Sequence, residues 1–197
     1  MDKRNFLGVA AGAAAGALSL PLAARAAGEV REKGSPPLLT VVGAIGKGNR
    51  GPLDAVRDQM MGKQKIKFDK AHVFTFEQLT AMPVKTARAT LEYDNKKHVL
   101  HGPALADVLA AAGVKGDSGK LAMRAVDGYS PTISMADAKK YGFMVATHLD
   151  GKPMALGGLG PLWAVYEPDA FPDMMAKPID QRFANCPWAL YFIDVQA

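Results

Sequence analysis

After residue 27 the apolar residues of this chain come in short runs, each closed within a few positions by a glycine, a proline or an Asp-Gly pair. Runs of that length suit strands, whereas helices need long stretches of 3.6-residue periodicity. A helical bundle is therefore excluded, and so is a regular strand-helix-strand alternation, which would need a long amphipathic helix after every strand. The 20 glycines and 13 prolines supply the punctuation, and an apolar content of 49% is enough to build one sizeable core. The expected class is α+β, with β-rich mixed sheets and short, irregularly inserted helices. A length of 197 residues allows one domain and an appendage.

Residues 38–45 form an apolar, β-rich run closed by a glycine-dense segment. Leu53, Val56 and Met60 stand at helical spacing, and a basic stretch with Lys63, Lys65, Lys67 and Lys70 follows, read as a solvated face. Thr75-Phe76-Glu77-Gln78 is a capping-box pattern and predicts a short helix that stops before Pro83. Residues 86–93 alternate as a strand. Pro103 is placed as the first residue of the best helix, with Leu105, Val108, Leu109 and Ala112 on one face and Gly113 as its cap. Leu121, Met123 and Ala125 alternate before the Asp127-Gly128 turn. Ser134 to Asp137 reads as a helix start, and Asp150-Gly151 as a tight turn after a strand over 143–149. Residues 162–166 and 188–195 are the last apolar strands.

The first 26 residues read as an export signal: Lys3 and Arg4, a weakly apolar Ala/Gly-rich run, then Ala24-Arg25-Ala26 with small residues at the cleavage positions. The run is too weakly apolar for a stable membrane anchor. Lys3-Arg4-Asn5-Phe6-Leu7 is similar to the twin-arginine export motif with Lys in place of its first Arg, and ordinary secretion stands beside it as the alternative. Periplasmic or secreted localisation follows from this reading. Residues 27–37 form an extended lead-in and residues 38–197 the domain. Without the signal, 21 basic and 18 acidic residues remain, a near-neutral balance that does not suit a nucleic-acid binder.

One cysteine, Cys186, excludes an internal disulfide, a thiolate zinc cluster, a Cys-x-x-Cys redox pair and c-type haem attachment. Gly43-Ala44-Ile45-Gly46-Lys47-Gly48 lacks the spacing and the Ser/Thr of an ATP phosphate loop. His98 and His101 do not share a helical face, and His72 and His148 are remote from them, so no imidazole metal site is expected. No serine sits in a nucleophile elbow.

Several segments taken in order carry more information. His101-Gly102-Pro103-Ala104-Leu105-Ala106-Asp107-Val108-Leu109, Asp127-Gly128-Tyr129-Ser130, Asp150-Gly151-Lys152-Pro153-Met154 and Gly160-Pro161-Leu162-Trp163-Ala164-Val165-Tyr166 together resemble the oxidoreductase molybdopterin-binding domain shared with sulfite oxidase. Leu39-Thr40-Val41-Val42-Gly43 and Trp188-Ala189-Leu190 fit as well, so the resemblance covers about residues 38–195. It is strongest to small exported members made of this domain alone, and it implies a sulfite oxidase-like fold. It also implies a molybdenum-molybdopterin cofactor whose metal is held by one protein thiolate.

Here the chain departs from the family pattern. Counting back from Gly102 puts Thr90 at the metal-ligand cysteine position, within Arg88-Ala89-Thr90-Leu91-Glu92. A threonine hydroxyl is a hard oxygen donor with a far higher pKa than a thiol, a poor replacement for a soft thiolate. Cys186 lies near the other end of the domain and is not assumed to replace it. Candidate site residues are Thr90, Asp127 and Tyr129 at the reacting centre, with Asn49, Arg50, Arg88, Gly158, Gly160 and Arg182 around a pterin or other anion. Each has a plainer role as an exposed strand or turn residue.

Two functions remain open. One is oxygen-atom or electron transfer at a molybdenum-pterin centre, with an envelope redox partner. The other is a cofactor-free periplasmic module that kept the fold and binds a small anionic ligand or a partner.

Overall fold

The computed structural model describes residues 34–197, and their first strand is the seven-residue Pro37–Gly43 (β1); residues 1–26, read from the sequence as an export signal, lie outside the described residues. β1 is followed by α1 (Gln59–Lys63), β2 (His72–Thr75), α2 (Phe76–Thr80), β3 (Val84–Thr90) and β4 (Lys97–Pro103). Next come α3 (Leu105–Ala111), β5 (Lys120–Ala125), β6 (Thr132–Ser134), α4 (Met135–Lys140), β7 (Met144–Ala146), β8 (His148–Leu149) and β9 (Lys152–Pro153). The chain ends with β10 (Trp163–Val165), a 3-10 turn (Pro168–Ala170), α5 (Pro172–Met175), α6 (Ile179–Arg182) and β11 (Leu190–Gln196). The mixed sheets and short helices agree with the expected α+β class.

Among the described residues the strands form a five-stranded sheet in the order β2-β1-β11-β5-β6, a four-stranded sheet β3-β4-β8-β9, and the pair β10-β7. In the first, β1 and β11 run parallel, with Thr40 beside Phe192 and Val42 beside Asp194, while the other neighbours are antiparallel. Period-two alternation then sorts the side chains. Leu39, Val41, Leu121, Met123, Ile193 and Val195 are buried on one face, which packs into the main core with Leu100, Leu105, Leu162 and Trp163. On the opposite face Val42 and Phe192 are covered by residues 53–68, through Leu53, Met61, Ile66 and Phe68.

The local signals act as their chemistry predicts. Thr75 and Gln78 close the capping box on α2, and the Ser134 hydroxyl accepts the Asp137 N–H at 2.9 Å on α4. Gly113 takes φ +77 just past α3, as a cap in the left-handed region requires. Pro103 differs from expectation: it is the last residue of β4, and α3 starts at Leu105 after an extended Ala104. The reason is tertiary, since β4 pairs with β3 along seven residues and the Leu105 N–H donates to the Phe143 carbonyl. The strand expected over 86–93 ends at Thr90. Leu91 accepts the Asn95 N–H and Asn95 takes φ 56, which turns the chain into β4.

Candidate active site around Thr90

β3 is an edge strand, so its outward N–H groups must find acceptors other than a neighbouring strand. Two carboxylates supply them. The Arg88 N–H donates to Glu167 Oε2 at 3.0 Å, and the Thr90 N–H lies 3.2 Å from each oxygen of Asp169. The Thr90 hydroxyl donates to Asp169 Oδ2 at 2.7 Å, and Lys97 Nζ stands 3.9 Å from the same oxygen. Glu167 and Asp169 are two apart at the start of the 3-10 turn after β10, matching the two-residue repeat of outward N–H groups on β3.

This arrangement tests the group that the resemblance implies. Every side-chain donor brought to Thr90 is a hard oxygen or an ammonium, and the hydroxyl at the ligand position is already engaged with a carboxylate. A molybdenum-dithiolene centre calls for a soft sulfur donor. The residues at Thr90 therefore do not fit the metal as the family holds it.

Cys186 does not supply the sulfur. It is 3% exposed, and burial pushes its thiol pKa up, with the charge of Glu92 adding to the shift. A thiol so placed remains protonated and inert. Its carbonyl accepts Trp163 Nε1–H at 2.9 Å, which fixes the 183–188 segment against β10.

The remaining candidates separate into distinct places. Asp127 Oδ1 accepts the Tyr129 N–H at 2.9 Å around Gly128, and the Tyr129 hydroxyl donates to the Ala184 carbonyl, so this turn braces the segment that carries Cys186. Arg182 donates to the Lys177 carbonyl at 3.0 Å and the Met175 carbonyl at 3.2 Å, tying α6 to α5. Arg88 is exposed, and its guanidinium has no polar partner among the described residues. The Gly158 N–H donates to the Ala155 carbonyl at 3.2 Å inside a turn, while Gly160 packs so tightly on Met154 that a Cβ would fall 2.4 Å from its backbone oxygen.

Asn49 and Arg50 belong elsewhere. The Asn49 amide exchanges two hydrogen bonds with the Val73 backbone, at 2.8 and 2.9 Å, and Arg50 pairs with Asp58 and stacks 5.2 Å over the Phe68 ring. Both hold the roof over the outer face of the five-stranded sheet. Thr90 and Arg88 are thus brought together through Glu167 and Asp169, two residues the sequence reading did not single out. Their signal was a pair of acids flanking Pro168, directly after the apolar strand ending at Tyr166.

On β4, the strand paired with β3, the protonated His98 ring donates Nδ1–H to Asp150 at 2.7 Å and Nε2–H to Asp94 at 3.1 Å. These bonds, Asp150 first, raise the His98 pKa above its ordinary value, while Asp150 and Asp94 are lowered. A raised histidine contributes stability fully below about pH 6.5, its unfolded value, and loses it as pH climbs through the folded value. Urea unfolding between pH 6 and 8 is expected to show a decline in wild-type stability that His98→Gln flattens. Parallel pH curves for the two proteins would contradict this coupling.

No family model and no curated protein matches the chain. Among solved structures it is similar to the sulfane dehydrogenase SoxCD from Paracoccus pantotrophus, with a TM-score of 0.51 and 16% identity. The match covers 80% of this chain and 37% of that chain, so the protein spans little more than a third of its neighbour's length. At this identity the likeness is one of fold. It agrees with the α+β architecture.

Proposed function

We propose that this chain is an exported module that keeps the scaffold of the molybdopterin oxidoreductase domain without its metal centre, and that it works by binding an anionic ligand or an envelope partner. The observation that carries the reading is the Thr90–Asp169 pair. At the position where the resemblance calls for a thiolate, a hydroxyl and a backbone N–H are both spent on one carboxylate. The pair satisfies the edge of β3, and it puts a negatively charged oxygen group where a soft anionic sulfur would be needed.

The fold likeness to a dehydrogenase favours a second reading, oxygen-atom or electron transfer at a molybdenum-pterin centre, and one measurement separates the two. The full chain is expressed in a host that makes the molybdenum cofactor, purified from the envelope, and assayed for molybdenum by mass spectrometry and for pterin by its fluorescence after oxidation. The wild type is expected to carry neither in stoichiometric amount. The Thr90→Cys/Asp169→Asn variant, which restores sulfur and removes the competing charge, is expected to gain metal. Stoichiometric molybdenum in the wild type overturns the proposal in favour of the enzyme.

A further inference from the structure

Away from Thr90, the outer face of the five-stranded sheet carries a second, independent feature. Residues 53–68 cover Val42 and Phe192 fully but Ala122 and Arg124 on β5 and Asp194 on β11 only in part, and there the face turns polar. Alternation brings Arg124 on β5 beside Phe192, and Asp194 on β11 beside Ala122. A cavity of about 220 Å³ opens at this edge of the roof, lined by Arg124, Lys65, Lys67, Ser130, Gln64 and Asp194 among others.

Arg124 is the unusual member. Its Nε–H is buried without a hydrogen-bond partner, and the guanidinium makes no ion pair or hydrogen bond with the described residues. A buried N–H left unsatisfied is costly, more so on a charged group. Lys65 and Lys67 lie on the same wall, and neither ammonium pairs with a carboxylate among the described residues. Lys65 is held there by a backbone in the left-handed region, φ 61. Against these three cations stands one carboxylate, Asp194, with one of its oxygens accepting Gln196 Nε2–H at 3.1 Å. The Gln64 side chain is anchored, donating to the Val126 carbonyl at 3.1 Å and accepting the Tyr191 hydroxyl at 2.7 Å, so the roof edge is fixed over the sheet.

The geometry points to an oxyanion site: Arg124, flanked by Lys65, Lys67 and the Ser130 hydroxyl, binds a doubly charged tetrahedral oxyanion of the phosphate or sulfate class. A guanidinium suits this ligand because its N–H fork donates to two oxygens at once, and the lysines add charge without demanding geometry. The cavity volume admits an oxyanion with a small organic substituent. The site stands on observations separate from the Thr90 reading and holds or fails without it.

The test is isothermal titration calorimetry of the full chain with sodium phosphate, sodium sulfate and sodium acetate at constant ionic strength, paired with NMR detection of the Arg124 Nε–H resonance. Phosphate and sulfate are expected to bind saturably and to shift that resonance. Arg124→Gln is expected to weaken both by about tenfold or more, the loss typical of a hydrogen bond to a charged group. Asp194→Asn, which removes the one opposing charge, is expected to tighten binding; as a conservative change it keeps the proposal testable if the Arg124 variant fails to fold. Acetate, singly charged, is expected to bind about tenfold more weakly than phosphate. Absence of saturable phosphate and sulfate binding, shifts mapping to another face, or an acetate affinity equal to that of phosphate would each overturn the assignment.

Discussion

Trp163→Ala is expected to cost the domain about 3–5 kcal/mol, the range for removing a fully buried aromatic side chain. The indole is 1% exposed, lies 5.8 Å from the Phe183 ring between centroids, and donates Nε1–H to the Cys186 carbonyl at 2.9 Å. Truncation leaves both a cavity and an acceptor without its donor, the latter worth about 1–3 kcal/mol. With domain stabilities of about 5–15 kcal/mol, such a loss removes a large share of the total. Equilibrium urea unfolding followed by circular dichroism measures it, and Trp163→Phe, which keeps a ring and loses the donor, should fall between wild type and alanine. A loss below about 1.5 kcal/mol for the alanine variant would contradict the packing described.

Gly102→Ala is expected to be comparably damaging for a different reason. A Cβ there would sit 2.0 Å from the Val145 carbonyl oxygen and 2.9 Å from the Ala146 Cα. These are backbone atoms of β7, a strand buried along its whole length, so no side-chain rotation relieves the clash. Overpacking of this kind costs about 1–3 kcal/mol and more where the backbone must move. Gly62→Ala is the control: it lies inside α1 with open space around its Cβ position, and it should stabilise by about 0.4–1 kcal/mol. Equal effects from the two substitutions in the same unfolding assay would show that the close approach of β4 and β7 is not rigid.

Local chemistry was legible in the chain, and distant pairing was not. Thr75 with Gln78, Ser134 with Asp137, and Gly113 announce themselves because their partners lie within a few residues, and the structure uses each of them. β4 was hidden because only Leu100, Gly102 and Pro103 of its seven residues are buried, while its two histidines and Val99 are partly covered, so its period-two signal is weak. The position of Thr90 followed from spacing to Gly102, but its ligand, Asp169, is 79 residues away, and no periodicity connects them. Arg124 shows the same limit. An arginine on an alternating strand reads as solvent-facing until the edge of the roof is known to bury its Nε–H.

The carboxylates on β3 also decide how this protein can be approached. With the N–H groups of Arg88 and Thr90 already taken, that border offers a guest strand few donors to continue the ladder. The opposite border, β9, is two residues long and ends in a proline, which has no N–H to give. A sheet barred at both margins disfavours recruitment of peptides by backbone augmentation. Whatever docks on this half of the molecule must then be chosen by side-chain shape and charge, which makes specificity there a property of individual residues.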